Sequence, residues 1–136
     1  MHSLTLLAAV VALVVGVIAL TRSTVPTYTA KEKAAAKAHL CDRYVLAAHG
    51  EHIETTTPNN IALARISATN GALILETTAA APALEPTYRE AAQALAASYQ
   101  TFVAIATTPV ADDPRLQAAI DDSTDKDRTM KGVCGE

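Results

Sequence analysis

Apolar and polar positions along the chain fall into two regimes. From Leu4 to Leu20 the stretch LTLLAAVVALVVGVIAL is 17 residues long and almost wholly apolar, and no Lys, Arg, Asp or Glu precedes Arg22. A helix of that length rises about 26 Å, close to the ~30 Å hydrocarbon core of a bilayer. The pattern predicts a transmembrane anchor over residues 1–22. A secretory signal peptide has a shorter apolar core, a basic start and a small-x-small cleavage site. The stretch matches none of these, so the anchor is read as uncleaved.

Beyond it, residues 23–29 read as a linker, with Pro26 breaking any continuous helix. Charged residues then interleave with alanines, and apolar positions recur at three and four, the helical period. A first helix is predicted from Ala30 to Ile53, with Ala34, Ala38, Cys41, Tyr44, Val45, Ala48 and His52 as its inner stripe. TTTPNN at Thr55–Asn60 ends it. A second is predicted over Asn60–Ala80, with Ile61, Ala64, Ala68, Leu73 and Leu75 inward. Asn70-Gly71 inside it marks either a kink or a close-packing point. Pro82 and Pro86 punctuate the next break. The third helix, Pro86–Ala106, has the clearest face: Tyr88, Ala92, Leu95, Tyr99, Phe102 and Ala106. Asp113 followed by Pro114 is a strong start for a fourth, with Leu116, Ala119, Ile120, Met130 and Val133 inward and Gly132 or Gly135 as its stop.

The expected architecture is therefore all-α: an anchor, then an up-down-up-down four-helix bundle over residues 30–136. Composition sharpens this. Half the residues are apolar, but only 4% are aromatic and tryptophan is absent, so the core must come from close approach of alanine-rich helices. In an up-down-up-down bundle the fourth helix ends beside the first half of helix one. That places the only two cysteines, Cys41 and Cys134, at the same level and predicts a disulfide.

Charge and chemistry narrow the function classes. A net charge of -3 offers no bulk attraction for nucleic acid. His49 and His52 lie three apart but at a helix end and outside the H-E-x-x-H pattern, so they read as surface histidines and no metal site is expected. Asp121, Asp122, Asp125 and Asp127 fail the calcium-loop pattern, since Lys126 stands where glycine is needed; they read as a solvated helix face. No phosphate-binding loop, dinucleotide fingerprint or nucleophile elbow is present. No catalytic residue and no cofactor is expected, and the chain is read as a non-enzyme.

In the anchor, Ala8, Ala12 and Gly16 are spaced four apart and form one small-residue face, of the kind that lets a second transmembrane helix approach closely. A plain tether needs no such face. The leading expectation is an accessory subunit of an integral membrane complex, its partner engaged through the anchor and membrane lipid around it. The alternative is a free-standing envelope protein that binds a lipid or small apolar molecule. For orientation, two rules conflict. Arg22, Lys31, Lys33 and Lys37 flank the anchor on its C-terminal side, which favours a cytoplasmic domain. A disulfide favours an oxidising compartment. The second is given precedence, and the domain is expected on the extracytoplasmic side of the cell membrane.

The stretches AKAHLCDRYVLAA, ALARISATNGALIL and KDRTMKGVCG, spread over residues 30–135, resemble small alanine-rich single-pass membrane proteins of mycobacteria and related actinobacteria. The resemblance implies an outward-facing domain and a bonded cysteine pair. It implies no activity.

Overall fold

The computed structural model describes residues 26–56, 60–107 and 113–135. Four helices run through them: α1 (Ala30–Thr56), α2 (Ile61–Ala79), α3 (Pro86–Ala106) and α4 (Pro114–Cys134). No strand occurs among the described residues. Among them, no helix is long and apolar enough to cross a membrane. The anchor expected over residues 1–22, with its Ala8, Ala12, Gly16 face, lies outside the described residues.

Local chemistry sets the helix ends. Thr29 and Glu32 form a capping box at the start of α1. The Glu32 amide donates to Thr29 Oγ1 at 3.2 Å, and Glu32 Oε2 accepts from the Thr29 amide at 2.7 Å. The Thr29 amide and hydroxyl, both donating to Glu32 Oε2, hold that carboxyl below its usual range. Asp113 caps α4 by accepting from the Arg115 amide at 2.9 Å, with Pro114 in the first turn. Gly135, at φ 83°, ends α4 in the left-handed conformation that glycine adopts without a Cβ penalty. Gly132, the other expected stop, lies within the helix.

Each helix packs most extensively on its neighbour in sequence, and α1 meets α4 more sparingly. Cys41 of α1 meets Cys134 of α4, while Tyr44 meets Asp127. Residue numbers rise on one helix as they fall on the other, so these two helices are antiparallel, as up-down-up-down order requires. The largest fully buried side chains are Tyr44, Tyr99, Leu40, Leu75, Leu95 and Met130. Alanines such as Ala68, Ala79 and Ala92 fill most of the remaining core.

The inner stripe of α1 differs from expectation. Leu40, Tyr44 and Ala47 are buried, and Ala36 and Ala48 pack at the margin. Ala34, Ala38 and Val45 are exposed, so the buried face is rotated by roughly a quarter turn from the predicted one. The His52 side chain lies outside the described residues. Alanine on every side of α1 leaves little contrast for a periodicity argument to grip. In α2, Ala64, Ala68 and Leu75 are buried as expected, but Ile61 and Leu73 are exposed. In α4, Ala119 and Met130 are buried while Ile120 is exposed at the edge. The α3 face is as predicted, with Tyr88 half-buried at its start.

Candidate functional site

Cys41 and Cys134 are bonded, with Cα atoms 5.6 Å apart, and lie 93 positions apart in sequence. Three residues further along α1, the buried Tyr44 hydroxyl donates to Asp127 Oδ1 at 2.6 Å. A covalent and a polar tie therefore join the first helix to the last over about one turn of α1. Asp127 Oδ2 also accepts from Lys131 at 2.8 Å, so its carboxylate is satisfied from both sides.

The rest of the acidic cluster is locally paired. Asp121 accepts from Gln117, Asp122 pairs with Lys126, and Asp125 pairs with Arg128. These are pairs three and four apart on one exposed helix surface. Only Asp127 is drawn into a tertiary contact, and sequence reading did not separate it from its neighbours. His39 and His49 are exposed on α1. No group of three or more His, Cys, Asp or Glu side chains is placed to hold a metal among the described residues.

Gly71 is the close-packing point of α2. A Cβ there would lie 3.0 Å from Cε2 and 3.2 Å from Cδ2 of Tyr99, and 3.7 Å from the Ala47 Cβ. The absent side chain lets α2 close on both α1 and α3. Arg89 secures the turn between α2 and α3. Its guanidinium donates to the carbonyls of Ala79 at 2.5 Å, Ala81 at 3.0 Å and Leu84 at 2.9 Å. An arginine fork suits several carbonyls at once, and this role carried no local sequence signal. At the same end of the bundle Lys33 pairs with Glu85 at 3.4 Å, and the Lys37 ammonium sits 4.9 Å from the Tyr88 ring centroid.

The outward face of α2 is the most distinctive surface. Ile66 is 56% exposed, Leu73 55% and Leu63 46%. They lie opposite the buried Ala64, Ala68 and Leu75, so α2 is apolar on two faces. The helix carries two charged residues, Arg65 and Glu76. Arg65 borders a groove of about 340 Å³ with Ala62, Ile66, Thr69, Asn70 and Val103. Its Nε is buried without a hydrogen-bond partner. Glu76 accepts from Gln100 Nε2 at 2.6 Å. Neither side chain has an ion-pair partner among the described residues. The exposed leucines and isoleucines were legible as apolar, but their outward direction was not.

This arrangement can dock an apolar surface and orient a charged group at its edge. The sequence matches no known family, and neither a curated protein nor a solved structure is significantly similar to it.

Proposed function

We propose that the chain is a non-catalytic accessory subunit of an integral membrane complex. It is held by its N-terminal apolar segment, with the helical domain of residues 30–136 on the extracytoplasmic side. The observation that supports this reading is the outward face of α2. Scattered apolar residues are normal on a surface, but Leu63, Ile66 and Leu73, exposed on the outward side of a helix whose other side is already buried and broken only by Thr69 and Asn70, favour a docking surface. The small face at Ala8, Ala12 and Gly16 would seat the anchor against a partner helix. The Cys41–Cys134 bond agrees with an oxidising compartment, and the resemblance to actinobacterial membrane proteins points the same way.

The test is recovery of the protein from membranes in mild detergent, beside Gly16→Leu and Ile66→Asp variants. Wild type brings down a stoichiometric, different protein; each variant loses it while the domain keeps its helical circular dichroism. Wild type recovered with no different protein at stoichiometric level refutes the reading.

The groove beside Arg65 favours a second reading, an envelope protein that binds a lipid or small apolar molecule. Arg65 supplies the orienting polar group that such a ligand needs. Mass spectrometry of organic extracts from the purified protein separates the two: a single co-purifying amphiphile, absent from an Arg65→Met variant, would favour the carrier.

A further inference from the structure

We propose that the outward face of α2 pairs with the same face of a second copy of this chain, in an antiparallel, two-fold symmetric contact. The proposal rests on reading that face as a docking surface and names its occupant as a second copy; the different protein of the larger complex would then be engaged through the anchor, and Ile66→Asp would release it by breaking the dimer.

The two charges of α2 carry the argument. Arg65 and Glu76 are opposite in sign and eleven positions apart in sequence. Eleven residues make about three full helical turns with roughly 20° left over, so both lie on one flank of the helix, the side facing α3. Gln100 of α3 bonds Glu76, and Val103 of α3 lines the groove with Arg65, which fixes that flank independently. Their separation along the axis is about 16 Å, too far for one to neutralise the other within a single chain.

A two-fold axis perpendicular to α2, passing between Asn70 and Gly71, changes this. Residues 65 and 76 are equidistant from that point. The operation reverses the helix while keeping each flank on its own side. Arg65 of one copy then stands level with Glu76 of the other, and the reciprocal pair forms at the opposite end. The same operation brings Ile66 of each copy within one turn of Leu73 of the other. Ala62 and Thr69, between the aliphatic stripe and the charged flank, keep the backbones close. A surface that brings Ile66 and Leu73 of the two copies together on either side of the exposed Thr69 and Asn70, and carries opposite charges at symmetric positions, is self-complementary, as a two-fold interface must be. Parallel pairing about an axis along the helices would instead put the two charged flanks on opposite sides of the contact, leaving Arg65 and Glu76 of one copy out of reach of those of the other. Two chains anchored in one bilayer would share an axis along its normal, which would lay α2 parallel to the membrane plane.

The experiment is sedimentation equilibrium of the full chain in density-matched mild detergent, with chemical cross-linking as a second readout. Wild type is expected to be dimeric. Arg65→Glu and Glu76→Arg each create two like-charge contacts and weaken dimerisation roughly tenfold or more. The Arg65→Glu/Glu76→Arg double variant restores it. So does mixing the two single variants, because a heterodimer of them regains both pairs. Thermal melts of each variant show whether the fold is kept. A monomeric wild type overturns the proposal, as does a dimer unaffected by either reversal or singles that fail to complement each other. In those cases loss of a different protein partner from Ile66→Asp would still uphold the docking reading, so the two failures are distinguishable.

Discussion

The hydroxyl of Tyr44 on α1 donates to the Oδ1 of Asp127 on α4 at 2.6 Å, one turn of α1 away from the bond between Cys41 and Cys134. Tyr44 is fully buried and Asp127 half-buried, so the bond closes the bundle from inside. Removing the hydroxyl leaves a poorly solvated carboxylate short of a donor. A hydrogen bond to a charged group contributes about 1.5–3 kcal/mol. Tyr44→Phe should therefore destabilise the domain by about 2 kcal/mol, read by urea unfolding. In a double-mutant cycle, Asp127→Ala should cost much less once the Tyr44 hydroxyl has been removed than it does in the wild type. Additive losses would show that the two residues act independently.

The disulfide joins residues 93 apart in sequence. In the chain-entropy model, closing a loop of that size is worth about 4–5 kcal/mol, a large share of the stability of an alanine-rich domain. Cys41→Ser, or reduction of the wild type, should lower the unfolding midpoint sharply. Intact mass with and without an alkylating reagent should show no free thiol before reduction. Alkylation of both sulfurs in unreduced protein would rule the bond out in solution.

Gly71 faces the Tyr99 ring at a distance that leaves no comfortable room for a methyl group. In an exposed helix Gly→Ala stabilises by about 1 kcal/mol. Here the added Cβ must displace a buried aromatic ring, at a cost of about 1–3 kcal/mol for overpacking. The net expectation for Gly71→Ala is a modest loss, and for Gly71→Leu a severe one. Tyr99→Leu should relieve Gly71→Ala in the double variant. A Gly71→Ala protein more stable than wild type would mean that α2 and α3 separate readily.

The capping box at Thr29 and Glu32 carries a pH signature. Hydrogen bonds from the Thr29 amide and hydroxyl favour the charged carboxylate and lower its folded pKa. The sign follows: the contribution of Glu32 is present above its unfolded pKa and is lost as pH falls through the lower, folded value. The first turn of α1 should fray in acid. Carboxyl resonances followed by NMR should place Glu32 below an ordinary exposed glutamate, and Thr29→Ala, which removes the hydroxyl donor but keeps the amide, should raise it only part of the way back.

Helix count, most helix ends and the cysteine pairing were legible in the sequence because they rest on local or topological chemistry, although α1 runs on to Thr56, past the expected end at Ile53. Asp113-Pro114 starts α4 and Gly135 ends it through backbone geometry that any neighbour would accept. On α3, Ala92, Leu95, Tyr99, Phe102 and Ala106 contrast large apolar groups with polar ones, so periodicity alone found the buried face. Cys41 and Cys134 followed from counting reversals of direction, which is a property of chain order.

Only the tertiary structure decided which way α1 and α2 turn. In α1, alanines occur at Ala34, Ala35, Ala36 and Ala38, and a methyl group gains too little from burial to favour one rotation. The phase is set by distant partners: Asp127 for the Tyr44 hydroxyl, Cys134 for Cys41, and the Gly71 gap for Ala47. In α2, Leu73 and Leu75 are equally apolar, yet Leu75 is buried and Leu73 exposed. Gly71 determines that choice, because only its face lets α2 close on Tyr99, and closing there turns Leu63, Ile66 and Leu73 outward. The candidate docking surface is thus the far side of a packing decision made between helices.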